Sequence, residues 1–174
     1  TYWLTFNEIN TTILMPTLFP QFPKEKVPPL FDELHNKFVA SANVVAYAHK
    51  QYPSFKMGCM IAGMVTYPLT CDPEDVLCAQ QKMQEGFYYA GDVMIRGAYS
   101  HYAKRLWKKY DVQYEKYALD AEVLKNGCVD FMSYSYYSTS CETTHTDVQK
   151  DSGGNFSLGY KNPYLQYSEW GWAM

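Results

Sequence analysis

The chain has 174 residues, enough for one domain, and a net charge of -3 with acidic and basic residues interspersed, so it carries no electrostatic footprint for nucleic acid. No apolar run approaches the length that crosses a bilayer, and no signal peptide is visible. The five cysteines, Cys59, Cys71, Cys78, Cys128 and Cys141, are odd in number and lack CxxC or Cys/His ligand spacing, so they read as free thiols in a reducing compartment rather than as a disulfide framework or a zinc site.

The first element is the stretch Tyr2 to Asn10. Trp3, Thr5 and Asn7 fall on one side of an extended segment and Leu4 and Phe6 on the other, which predicts a short strand ending in the carboxylate of Glu8. In an α/β barrel the reactive groups sit at the carboxyl ends of the strands, so Glu8 is expected to point into a cleft. Asn7 beside it offers an amide that both donates and accepts, suited to holding a hydroxyl next to a reacting carbon. Spacing alone also fits a solvated surface glutamate. The segment Thr5-Phe6-Asn7-Glu8-Ile9-Asn10 resembles the Thr-Phe-Asn-Glu-Pro motif of the family-one glycoside hydrolases, in the Glu-Ile-Asn form of the bacterial 6-phospho-β-glucosidases. The resemblance implies that Asn7 holds the sugar 2-hydroxyl and that Glu8 is the general acid/base.

Residues 11–29 contain Pro16, Pro20, Pro23, Pro28 and Pro29, which predict a long loop at the barrel mouth rather than a helix. From Leu30 to Lys50 the apolar residues Phe31, Leu34, Phe38, Ala42, Val45 and Ala48 recur at three and four, predicting an amphipathic helix ended by Tyr52-Pro53. His35 and His49 on this helix receive a structural reading. Phe55 to Tyr67, with Gly58 and Gly63, predicts a buried parallel strand with a close backbone approach. A helix then starts at Asp72 as N-cap, with Pro73 in its first position and Glu74 and Asp75 at the positive end of its dipole. Val76, Ala79, Met83 and Phe87 form its expected apolar stripe.

Tyr99 to Tyr110 reads as a second amphipathic helix whose basic residues, Lys104, Arg105, Lys108 and Lys109, form a solvated face. Arg96 receives no role. Tyr117 to Asn126 reads as a short helix closed by Gly127, and Cys128 to Tyr137 as the next strand, ending in exposed tyrosines. In the resembled family the second Tyr of an Asn-Tyr-Tyr strand end donates its hydroxyl to the catalytic nucleophile, which implies that role for Tyr137, with Ser135 replacing the usual Asn. Residues 138–160, rich in Ser, Thr, Asp, Asn and Gly, predict a long mobile loop. His145 within it reads as an exposed loop histidine rather than a metal ligand. In Ser168-Glu169-Trp170-Gly171-Trp172, Trp172 matches the Gly-Trp tryptophan that walls the aglycone site in the family.

The 17 tyrosines and four tryptophans suit a sugar cleft, where apolar ring faces stack and hydroxyls need partners, although most are expected to serve packing. The resemblance covers nearly the whole chain through separated segments in the right order. It implies an α/β fold, the part of a (β/α)8 TIM barrel comprising about strands four to six with their helices and long mouth loops. A complete barrel takes about 250 residues, so residues 1–174 read as one incomplete catalytic barrel domain with both ends missing. No Glu-Asn-Gly segment, which carries the family's nucleophile, is present.

The implied activity of the intact parent is retaining hydrolysis of 6-phospho-β-glucosides in the cytoplasm, with neither metal nor organic cofactor. The chain alone is expected to be inactive and, with two open sheet edges, either to self-associate or to form a strained or partly ordered monomer. The alternatives are a 6-phospho-β-galactosidase, an unphosphorylated β-glucosidase, or a non-catalytic sugar-binding or structural module. The residues that decide between gluco and galacto sugars and that hold the phosphate are expected outside residues 1–174.

Overall fold

The computed structural model describes residues 1–18, 21–149 and 159–173. In chain order the strands and α-helices are β1 (Tyr2–Leu4), α1 (Thr11–Leu18), α2 (Val27–Gln51), β2 (Lys56–Pro68), α3 (Pro73–Met83), α4 (Tyr89–Arg96), α5 (Ala103–Tyr110), α6 (Ala121–Asn126) and β3 (Phe131–Glu142). The strands lie side by side in the order β1-β2-β3, and β1 is parallel to β2 with Tyr2 opposite Lys56 and Leu4 opposite Gly58. Parallel neighbours need a crossover, and α1 and α2 supply it between β1 and β2. The chain divides into two compact units, Thr1–Ala62 with Tyr88–Ser135, and Gly63–Phe87 with Tyr136–Met174.

In the first unit α2 is the organising helix. Its buried face contains Val27, Phe31, Leu34, Phe38, Ala42, Val45 and Ala48, the expected stripe extended by one residue toward the amino end. The helix begins earlier than predicted because Pro28 and Pro29 lie in its first turn, where backbone N–H groups have no intrahelical acceptor to lose. The expected loop over 11–29 is likewise interrupted by α1, which carries Pro16 inside it. Burial overrides the local preference: Ile13 and Leu14 are 3% and 4% exposed, and α1 packs on α2, whose Lys37 also donates to the Thr12 hydroxyl at 2.8 Å.

β2 is buried along Met57–Cys59 and Ile61–Ala62, as a strand covered on both faces should be. Gly58 is required by close approach, since a Cβ there would enter the ring of Phe131. Gly127 has the same role between helices. Its φ of -113° is ordinary, but a Cβ would collide with the Cα and carbonyl oxygen of Ala42 on α2. The expected helix over 117–126 is divided into a 3-10 turn over Glu115–Asp120 and α6. The expected helix from Tyr99 begins only at Ala103, because Tyr99 is drawn inward to bond His35.

Both α2 histidines are structural. Buried His35 shares hydrogen bonds with the Tyr99 hydroxyl at 2.7 Å and Asp120 at 3.0 Å and stacks on Tyr117 with centroids 4.2 Å apart. His49 reaches Asp130 at 2.9 Å. The Met57 N–H and His49 hold the Asp130 carboxyl below its ordinary range, outweighing the cost of its burial.

In the second unit Asp72 caps α3 by accepting the Glu74 N–H at 2.9 Å. Of the expected stripe Ala79 and Phe87 are buried and Met83 half-buried, but Val76 is 48% exposed and Asp75 is buried instead. Asp75 turns inward because Thr70, Thr143 and Thr144 saturate it. Its Oδ2 accepts the Thr70 N–H and hydroxyl, and its Oδ1 accepts the Thr144 N–H at 2.7 Å and the Thr143 hydroxyl at 2.9 Å. Desolvation opposes ionisation, yet these donors outweigh it and hold the carboxyl well below its usual range.

Stabilisation of this kind is present above the unfolded-state pKa and lost as pH falls through the folded one. Asp75→Asn is therefore expected to lower the melting temperature by several degrees at pH 7. Thermal melts down the pH scale should find that gap constant until pH drops below the ordinary carboxylate value of 3.8. A gap that closes between pH 7 and 5 would show that the ionised carboxylate is not what holds the threonines.

Candidate active site

β1 ends at Leu4, earlier than expected, and residues 5–8 bend out of the sheet. The cause is 52 positions away in sequence: fully buried Asn10 occupies the backbone groups of Ala62, accepting its N–H at 2.7 Å and donating to its carbonyl at 3.0 Å. Ile9 N–H reaches the Met60 carbonyl at 3.3 Å. The chain continues along β2 through one backbone bond and one side-chain amide rather than through a regular ladder. The Glu8 carbonyl accepts from the Thr11 N–H at 2.9 Å and the Thr11 hydroxyl at 2.8 Å, which starts α1.

Between these anchors Glu8 adopts φ +48°, a left-handed conformation costing a non-glycine residue about 1–2 kcal/mol. Such strain persists where surrounding bonds over-determine it, and it concentrates at functional sites. Glu8 is half-buried and Asn7 exposed. Asn10 is a buried polar residue beside the candidate acid that the sequence reading left without a role. Its signal was present, since a buried asparagine two residues after a candidate acid can complete backbone bonds where the strand stops.

The second unit carries the other two candidates. β3 runs five residues beyond the predicted end at Tyr137, to Glu142, so residues 138–142 are strand rather than loop. The cause is again distant pairing: Cys141 exchanges backbone hydrogen bonds with Tyr160 at 2.7 Å in both directions, and Asp75 holds Thr143 and Thr144. The part of the expected loop over 150–158 lies outside the described residues. His145 contacts Asp72 at 3.4 Å, consistent with a loop position.

Tyr137 and Trp172 meet edge to face, with ring centroids 5.9 Å apart and planes at 89°, a favoured aromatic arrangement. Trp172 is held in a tight turn. The Ser168 N–H donates to its carbonyl at 2.9 Å, its own N–H reaches the Ser168 hydroxyl at 3.2 Å, and Gly171 supplies φ +77°. The neighbouring Ala173 N–H donates to the Ser138 hydroxyl at 3.2 Å, tying the tryptophan turn to the residue after Tyr137. The sequence-predicted residues thus fall into two local groups, Asn7 with Glu8 in the first unit and Tyr137 with Trp172 in the second.

Among the described residues no group of three or more His, Cys, Asp or Glu side chains is arranged to hold a metal ion. A cavity of about 500 Å³ in the first unit is lined by Tyr99, Trp107, Tyr114, Tyr117 and neighbours, and includes none of the candidate residues. Three of its aromatic polar atoms are engaged, Trp107 donating to Tyr89 at 3.0 Å, Tyr117 donating to Asp32 at 2.7 Å and the Tyr99 hydroxyl bonding His35 at 2.7 Å.

The fold is that of part of a (β/α)8 TIM barrel. A family 1 β-glucosidase from Thermotoga maritima superimposes with a TM-score of 0.72 at 18% identity, over 98% of this chain and 37% of that one. The family model of glycosyl hydrolase family 1 matches residues 1–174, and the chain belongs to that family. It is 42% identical to a 6-phospho-β-glucosidase of Clostridium longisporum, over 99% of this chain and 37% of the relative. It is 40% identical to the aryl-phospho-β-D-glucosidase BglH of Bacillus subtilis, over 99% and 38%. The chain therefore spans less than two-fifths of the length of these relatives.

Proposed function

We propose that the protein carrying this chain is a retaining glycosidase that hydrolyses 6-phospho-β-glucosides to glucose 6-phosphate and an aglycone, and that the chain comprises about strands four to six of its barrel. The observation that carries the reading is 42% identity, across 99% of the chain, to a relative named for that substrate. The strained Glu8, four residues beyond the end of β1, supports it. Glu8 is assigned as acid/base, Asn7 as the partner of the sugar 2-hydroxyl, Tyr137 as the hydroxyl that supports the nucleophile, and Trp172 as a wall for the aglycone.

In the first step Glu8 protonates the glycosidic oxygen while a carboxylate outside this chain attacks the anomeric carbon, the two lying about 5–5.5 Å apart in retaining enzymes. In the second step Glu8 takes a proton from the water that releases the sugar. Its half-buried position leaves the carboxyl open to the water of the second step. The resemblance to enzymes of phosphorylated glucosides, which arise from uptake coupled to phosphorylation, implies a cytoplasmic enzyme. No helix among the described residues is long and apolar enough to cross a membrane.

The test compares p-nitrophenyl β-glucoside 6-phosphate with its galacto epimer and with the unphosphorylated glucoside, using the intact protein. The expected result is a kcat/KM for the phosphorylated glucoside at least about 100-fold above both, the scale of losing one or two buried polar contacts. Preference for the galacto epimer or for the unphosphorylated sugar would select one of those alternatives, and no turnover of any would favour a binding module. The 174-residue chain alone should show no turnover above background.

A further inference from the structure

We propose that Asn10 is a positioning residue for Glu8, acting as a side-chain substitute for strand pairing that sets where the acid/base carboxyl sits. The inference rests on the assignment of Glu8 and goes beyond it by naming the group that places it.

A regular strand after Leu4 would satisfy β2 with its own backbone and would send successive side chains to alternate faces. The chain instead leaves the sheet at Thr5 and must return to it. Ile9 bonds Met60, and two positions further along β2 both backbone groups of Ala62 are taken by the Asn10 carboxamide. A carboxamide is suited to this because it presents one acceptor and one donor side by side, as a peptide group does. Asn10 is 0% exposed and Ala62 4%, so water cannot replace either bond. The Asn10 carbonyl also accepts the Ile13 N–H at 3.1 Å, which couples the same residue to the first turn of α1.

Glu8 therefore stands on an arch with two feet. One is the Ile9–Asn10 attachment to β2, and the other is the start of α1, where Thr11 holds the Glu8 carbonyl. The left-handed φ of Glu8 is what an arch of this length imposes. Without the Asn10 foot, the residue is free to relax toward an ordinary φ, and that rotation swings its side chain away from its native direction. Asn10 lies two residues from the carboxyl and touches no substrate in this account, so its effect on the reaction is through Glu8.

The experiment uses the intact protein with Asn10→Ala, Asn10→Asp, Glu8→Gln and the double variant Asn10→Ala/Glu8→Gln. Each is assayed on aryl β-glucoside 6-phosphates with good and poor leaving groups. If Asn10 positions the acid, Asn10→Ala should lower kcat on poor leaving groups about 100-fold more than on activated ones, the scale of a misplacement of about 1 Å, with KM little changed. The double variant should be no slower than Glu8→Gln alone. Asn10→Asp keeps the volume and the acceptor, and its protonated form restores a donor to the Ala62 carbonyl, so its activity on poor leaving groups should recover as pH falls.

Equal losses on good and poor leaving groups, or losses that add to those of Glu8→Gln, would overturn the proposal. So would failure of both Asn10 variants to fold, because Asn10 would then serve the fold as a whole. If Glu8→Gln itself shows no leaving-group dependence, the assignment of Glu8 fails, and the Asn10 proposal fails with it for a separately visible reason.

Discussion

Glu8→Gln in the intact protein is expected to lower kcat on substrates with poor leaving groups by about 100- to 10,000-fold, the usual contribution of a positioned acid/base. An activated p-nitrophenyl substrate needs little protonation, so its first step should survive better while attack of water on the covalent intermediate becomes slow. The intermediate should accumulate and appear as a burst of p-nitrophenol. Azide needs no general base, so it should restore turnover and yield a β-glycosyl azide, because two displacements preserve the anomeric configuration. An α-azide product would mean inversion. Uniform losses without rescue would remove Glu8 from the acid/base role.

Gly127→Val is expected to be among the most destabilising single changes in the first unit, and the cause is purely one of packing. A Cβ at this position would fall on the Cα and carbonyl oxygen of Ala42, and backbone atoms have no rotamer by which to move aside. Relief requires α6 to separate from α2, which opens the interface around buried Leu124 and Ala42. Overpacking of this kind costs about 1–3 kcal/mol, and an obstacle made of backbone places the value at the upper end. A urea unfolding midpoint measures it. The double change with Ala42→Gly removes only one of the obstructing atoms, so it should restore little stability. Full restoration would show that the crowding is between side chains and that the helices do not touch through their backbones.

The clearest contrast in legibility is between α2 and α1. The three-and-four spacing of Phe31, Leu34, Phe38, Ala42 and Val45 is local, and a helix that buries one face must carry it. β2 and the Asp72-Pro73 start of α3 were legible for the same reason, as each depends on neighbours within a turn or a short run. The motif around Glu8 was legible by resemblance, and it located the candidate acid before any geometry was known. Pro16 pointed the other way, and only the burial of Ile13 and Leu14 against α2 decided for helix.

The remaining differences share one physical cause. Strand ends and buried polar partners depend on residues far apart in sequence. β1 stops at Leu4 because Asn10 takes Ala62, 52 positions on, and Asp75 faces inward because Thr144 lies 69 positions on. Residues 138–142 are strand because Cys141 meets Tyr160. By itself the sequence determined the family and the main helix, and it singled out residue 8 as the candidate acid. The tertiary structure decided the backbone on which that chemistry stands, because a hydrogen bond closed across such a separation leaves no periodic trace in the chain.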